Sequence, residues 1–209
     1  MITILQQHAS VLREQAESVH QRDFNSPRLK KILNDMKTTL DKEEDGVALA
    51  APQIGVPLRI FIISHRAFEI DGEEGKGIIL AKQPHSHTHT SQKDDGITAP
   101  PPFSSKTQNL IFINPQIIKL SRKKVWAPEG CLSVRWFYGE TPRAEKATIR
   151  AYDENGKPFT RGAKGLIAQI FQHETDHLNG VLFIDTARNV EKITHEEQER
   201  LKKDYEKGL

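Results

Sequence analysis

Cysteine is almost absent from this sequence of 209 residues, which contains only Cys131. One thiol cannot form a disulfide within the chain, so the fold gains nothing from an oxidising compartment. We therefore expect a cytoplasmic protein. Cys131 needs another explanation, and two remain open at this point: a buried, inert thiol or a functional ligand.

Long apolar runs are also missing. The stretch at 58–63 is among the longest, and it is far shorter than the ~18–20 residues that a membrane helix needs. Polar residues begin at Gln6, and no cleavage site with small residues follows, so no export signal is expected. These patterns predict that the protein does not bind a membrane.

An excess of charge of one sign is missing as well. The 30 basic and 28 acidic side chains give a net charge of +2, and both signs are mixed along the chain, so no direct nucleic-acid site is expected. Hydrophobic residues make up 36% of the sequence, which is enough for a packed core. The length predicts a single domain over residues 1–209.

Apolar stretches between turn-forming residues indicate both helices and strands. Ser26 followed by Pro27 is typical of a helix start, and apolar residues then recur at helical spacing to about Lys42. Strands are predicted at residues 58–63, 110–113, 116–120 and 147–152, and a turn at 153–156.

Two segments differ from the rest in composition. Residues 81–108 are rich in Pro, Ser, Thr and His, which predicts a flexible insert. Its alternating histidines are interpreted as part of a solvated loop rather than a metal site: His85, His87 and His89. From about 191 to 209 the chain is highly charged, and Thr194 and Glu197 form a capping-box pattern that predicts a polar C-terminal helix.

A second helix is predicted at 164–179, where apolar residues cover most of the circumference. It should therefore be central and buried. It carries the HExxH pattern, in which His173 and His177 lie one turn apart on one face and are able to share a metal ion. Glu174 projects about 100° around the helix, where a general base could reach a water molecule at that ion.

Two histidines do not complete a catalytic metal centre, which usually has three protein ligands and one open position. Downstream, Glu191 and His195 stand in the polar tail and are poor candidates. Upstream, Cys131 is the one soft ligand in the chain.

Three motifs together resemble the peptide deformylase family: GVALAAPQ at 46–53, EGCLS at 129–133 and QHETDHL at 172–178. The similarity extends over most of residues 26–186, apart from the insert. The resemblance implies an α+β fold with antiparallel β-sheets around a central buried HExxH helix, together with N-terminal and C-terminal helices.

The resemblance also implies an activity and a cofactor. The substrates would be nascent polypeptides that begin with formyl-Met, and the products would be formate and a free N-terminus. The natural partner would be the ribosome. Cys131, His173 and His177 would bind one divalent metal ion, Fe(II) in the cell, replaceable by Zn, Ni or Co. Glu174 would act as the acid and base.

Further roles follow from the same resemblance. The Gln53 side-chain amide and the Leu132 backbone N–H would donate to the developing oxyanion, while Gly46 and Ala48 would bind the substrate. Ala48 stands where the family usually has a second glycine. Members of the family often carry an arginine that helps to hold the substrate, and Tyr138 falls near the position of that arginine.

The aromatic residues before that position, Trp136 and Phe137, are interpreted together with Tyr138 as packing rather than as a substrate platform. Two other functions remain open from the residues alone: an HExxH metallopeptidase and a metal-binding interaction module without catalysis. The module would need neither Glu174 nor Gln53. Formate release from a formyl-Met peptide, measured beside an ordinary peptidase substrate, separates the three.

Overall fold

A computed structural model describes residues 2–68, 70, 109–194 and 197. Within these residues no helix is long and apolar enough to span a membrane. The predicted insert at 81–108, including its three histidines, lies outside the described residues, and so does most of the predicted C-terminal helix.

The α-helices whose full bounds are described are α1 (Pro27–Asp41) and α2 (Gly165–Leu178), and the described residues 65–68, 70 and 197 are also helical. Its strands are β1 (Ala48–Ala50), β2 (Ile60–Ile63), β3 (Leu110–Leu120), β4 (Lys124–Gly130), β5 (Phe137–Ala144), β6 (Lys146–Tyr152), β7 (Pro158–Lys164) and β8 (Arg188–Lys192). Short 3-10 helices occupy Ser10–Arg13, Gln21–Asp23, Ala51–Ile54 and Phe183–Asp185.

The strands form two sheets. One has five strands in the order β1-β2-β3-β6-β7, and the other has three in the order β4-β5-β8. All pairings between these strands are antiparallel. The predicted mixed fold with antiparallel sheets and few helices is therefore confirmed.

Helix α1 covers one face of the five-stranded sheet. The Ser26 side chain accepts a hydrogen bond from the Leu29 backbone N–H at 3.1 Å, and Pro27 occupies the first helical position, as the sequence predicts. The apolar side of α1 packs with Ile60 and Ile62 in one buried cluster.

Helix α2 covers the opposite face of that sheet. The alternate β2 residues Phe61 and Ile63 face this side, because side chains alternate between the two faces of a strand. Phe112 forms the centre of an aromatic group, with ring centroids 4.6 Å from Phe61 and 5.4 Å from both Phe159 and Phe171. Since Phe171 belongs to α2, this group fixes the helix to the sheet.

Several predicted boundaries are wrong. β4, β5 and β7 were not anticipated, because each contains Gly or Pro, residues that weaken strand patterns. The two strands predicted within 110–120 are one strand with register shifts. The tail helix cannot begin at 191, because Glu191 and Lys192 pair with β5. The Thr194 and Glu197 capping hydrogen bonds are nevertheless present.

Candidate active site

A cavity of about 340 Å³ lies where β1, the end of β4 and α2 meet. Three sequence motifs supply side chains that line this cavity. The GVALAAPQ motif supplies β1 and the following 3-10 helix, EGCLS follows from β4, and HExxH lies in α2. The three motifs are far apart in the chain but line one pocket.

Cys131, His173 and His177 converge at this cavity. Their ligand atoms all lie within 4.8 Å of one another, and Cys131 Sγ is 3.2 Å from His177 Nε2. A thiolate and an imidazole bound to one tetrahedral ion at usual bond lengths would lie about 3.5 Å apart. The three side chains are therefore arranged as a group that could hold a metal ion.

Buried charged groups surround His173. The Glu129 carboxylate contacts His173 Nδ1 at 3.1 Å and receives two hydrogen bonds from Arg143, at 2.7 and 2.9 Å. Arg143 also donates to Asp176, one residue before His177. Burial alone would raise the pKa of Glu129, but hydrogen bonds and positive charge from His173 and Arg143 lower it to about 2. A charged Glu129 orients His173 so that its Nε2 is available as a ligand.

The chemistry of these donors fits a divalent metal ion. Burial alone would raise the pKa of the Cys131 thiol, but the positive charge of His177 and the hydrogen bond with His173 lower it to about 5. That environment favours the thiolate, the form in which cysteine binds metals. Among the described residues, two buried side-chain atoms at this place lack a hydrogen-bond partner, His177 Nδ1 and Glu174 Oε2.

Glu174 lies in the cavity wall next to the cluster and is only 4% exposed. Burial raises the pKa of Glu174 to about 7, although the nearby positive charges of His173 and His177 oppose the shift. A carboxyl group with such a pKa is able both to accept and to return a proton near neutral pH.

Gln53 is 2% exposed and points its amide at the same cluster. Its Oε1 accepts from the Ala50 N–H at 2.7 Å, which fixes the orientation of the amide. Its Nε2 then donates to Ser133 Oγ at 3.1 Å and lies 3.7 Å from Cys131 Sγ. Leu132 is buried beside Cys131 and lines the cavity, and its carbonyl accepts from Gln6 Nε2 at 3.1 Å.

Gly46 and Ala48 also line the cavity and are both buried. A side-chain carbon added at Gly46 would lie 2.9 Å from Glu43 Cβ and 3.2 Å from Leu132 Cδ1. The wall therefore has no space for a larger residue at that position, whereas Ala48 fits with its methyl group.

The outer part of the cavity, which we call the rim, is formed by Asp45, Arg135, Trp136, Phe137 and Tyr138. Arg135 donates to Asp45 at 2.7 Å and also pairs with Glu43. The three aromatic residues are partly buried, as packing predicts, but they also line the cavity. The lining residues Glu129, Cys131, His173 and Glu174, together with His177, which contacts Cys131, form the inner part, which we call the floor.

Sequence reasoning missed Glu129, Arg143 and Asp176 as supports of the histidines. Glu129 is the first residue of the EGCLS motif, so its place in that motif could have indicated a role at the site. Arg143 gives no such local signal, because only the β4–β5 pairing brings it back to Glu129. The pair of Arg135 with Glu43 and Asp45 was also missed.

The fold and the side chains around this cavity are those of a metal-dependent hydrolase. The family model described as polypeptide deformylase matches residues 1–193. The chain belongs to this family, whose hydrolases remove the N-terminal formyl group from nascent peptides. Membership favours this activity over the metallopeptidase and the interaction module.

Individual relatives agree with the family match. A peptide deformylase of Erythrobacter litoralis is 34% identical, over 87% of this chain and 86% of its own length. One of Chloroflexus aurantiacus is 34% identical, over 91% of this chain and 87% of its own length. The crystal structure of peptide deformylase from Thermotoga maritima, 28% identical, superposes with a TM-score of 0.65 and covers 90% of this chain and 98% of that one.

Proposed function

We propose that the floor of this cavity is the active site at which the chain removes the formyl group from formyl-Met nascent peptides. One observation carries the proposal. Three ligand atoms lie within 4.8 Å of one another, and the buried Glu174 lines the same cavity. A structural metal site would need no such carboxylate beside it.

Cys131, His173 and His177 would hold the metal ion in this proposal. We assign Fe(II) as the metal in the cell, with Zn, Ni or Co as replacements. When bound, the ion supplies a Lewis acid for the formyl carbonyl and for a water molecule. Glu129 keeps His173 in the orientation that exposes Nε2 to the cavity.

Glu174 is assigned the proton transfers. Its Oε2 is buried and, among described side chains, has no hydrogen-bond partner, so it is available to a water molecule in the cavity. It accepts a proton from that water as the oxygen attacks the formyl carbon. When the C–N bond breaks, Glu174 returns the proton to the departing amine, and formate is the second product.

The remaining predicted residues receive binding roles. Gln53 Nε2 and the Leu132 N–H are assigned as hydrogen-bond donors to the oxyanion. The Gln53 amide is preorganised for this role because its Oε1 accepts a hydrogen bond from the Ala50 N–H. Gly46 and Ala48 are assigned to the substrate backbone, which could approach closely where the side chains are small.

The wider setting of the activity is also part of the proposal. We assign one catalytic domain to residues 1–209, with α2 as its central helix, and place the protein in the cytoplasm. Nascent chains that still carry formyl-Met emerge at the ribosome, which is therefore the proposed partner.

Replacing Glu174 with Gln tests the assignment. The change removes the base but no metal ligand, so formate release should fall by about 10²–10⁴ while metal content stays constant. Glu14→Gln, at an exposed position away from the cavity, is the matched control and should keep full activity. Unchanged turnover in Glu174→Gln would contradict the proposed role.

A further inference from the structure

The rim contains a turn with an unfavourable residue at one position. The Phe137 N–H donates to the Val134 carbonyl at 3.3 Å, which closes a four-residue turn. Trp136, the third residue of this turn, has a φ of 72°. A positive φ at that position is the mark of a type II turn, which favours Gly or Asn. A bulky side chain there is a backbone outlier.

Neighbouring contacts hold the turn in this conformation. Arg135 is fixed by its ion pairs with Glu43 and Asp45, and its N–H lies 3.4 Å from Gln6 Oε1. The Trp136 carbonyl accepts from the Ile193 N–H at 2.8 Å. A strained backbone conformation that is held by several surrounding contacts is typical of functional sites. Without a function for the side chain, a residue that adopts a positive φ without strain would be expected at this position.

The position of Trp136 in the cavity indicates what the ring contacts. Glu174 in the floor is 4% exposed, whereas the Asp45 side chain in the rim is 43% exposed. Exposure therefore rises from the floor to the rim. If the formyl group lies at the floor, as the proposed function requires, the rest of the substrate chain must leave past the rim.

We infer that Trp136 is a specificity-determining residue that contacts the substrate on the C-terminal side of formyl-Met and favours an apolar side chain there. This inference rests on the proposed function. The charges next to Trp136 favour an apolar contact, because Arg135 is paired with Glu43 and Asp45. The Arg135 guanidinium lies over the Trp136 ring, 5.8 Å from its centroid, and the rest of the indole, which lines the cavity, offers the substrate an apolar surface.

Kinetics with two substrates test the inference. Trp136→Gly removes the ring but suits the positive φ, so the relief of backbone strain should offset much of the lost packing and the protein should remain folded, as its melting temperature will show. The ratio of kcat/KM for formyl-Met-Leu-Ser to that for formyl-Met amide should fall on the order of tenfold, mainly through KM. Trp136→Asn serves the same purpose if the glycine variant folds poorly, and Trp136→Phe should retain most of the ratio.

Trp126, the other of the two tryptophans, lies outside this cavity beneath the Arg188 guanidinium and gives a matched control. Trp126→Phe should keep the substrate ratio. In that variant Trp136 is the only indole, so titration with the unformylated peptide Met-Leu-Ser should change its fluorescence to saturation. This binding measurement does not require turnover.

The outcomes separate the two ideas. Absence of formate from both substrates with the wild type would overturn the proposed function. An unchanged substrate ratio in Trp136→Gly, together with no fluorescence response to the peptide, would overturn the inference and leave Trp136 as a packing residue.

Discussion

The floor and the rim of the cavity are built in different ways. In the floor, Glu129 forms a nearly buried ion pair with the supporting Arg143, and the two side chains are 2% and 8% exposed. In the rim, the Arg135 pairs involve side chains that are 26% to 43% exposed. Water screens the rim charges but hardly reaches those of the floor.

This difference separates two tasks. Buried charged groups must pair with one another, because a buried charge without a partner is strongly destabilising. Few substitutions in the floor are therefore expected to leave stability unchanged. The rim is held by exposed pairs that contribute little each. We therefore expect the floor to set the reaction and the rim to set the choice of peptide.

Cys131→Ala should produce the largest effect, because it removes a proposed metal ligand of the floor. We expect loss of the bound metal and of nearly all formate release. Metal analysis of protein purified without air, together with the formate assay, measures both.

Val134→Ala is the control for that change. Val134 is 1% exposed and belongs to the same small cluster as Cys131, but it offers no ligand. It should lower the free energy of unfolding by about 1 kcal/mol or more and retain metal. A metallated, active Cys131→Ala protein would show that the thiol only packs.

Glu129→Gln should produce an intermediate effect. The change removes the charge that supports His173 and leaves Arg143 with a weaker partner, so metal affinity should fall about 10–100-fold. Competition with a chelator measures the affinity. Glu140→Gln removes a carboxylate from the exposed pair with Arg188 and should leave metal affinity unchanged. If Glu129→Gln and Glu140→Gln lowered metal affinity equally, the distinction between buried and exposed ion pairs would be wrong.

Arg135→Gln should produce the smallest effect on the floor. The ion pairs it loses are partly exposed, so the free energy of unfolding should fall by at most about 1 kcal/mol, less at high salt. Metal content should not change. Loss of metal in this variant would mean that the rim supports the floor, which contradicts the comparison.

The sequence predicts the floor better than the rim. HExxH places His173 and His177 on one helical face because helix geometry is local, and Ser26 with Pro27 predicts the start of α1 for the same reason. The Arg143 contact with Glu129 depends on strand pairing, which local patterns do not reveal. Nothing in the sequence predicts a positive φ at Trp136, since tryptophan disfavours it and distant contacts impose it.

The division of the proposed ligands between the two sheets would have a consequence for folding. His173 and His177 stand on α2, which Phe171 fixes to the five-stranded sheet, while Cys131 directly follows β4 of the three-stranded sheet. A metal ion shared by these residues would close a loop between the sheets. It would restrict the unfolded chain as a covalent crosslink does, and a chain with a single cysteine cannot form a disulfide within itself.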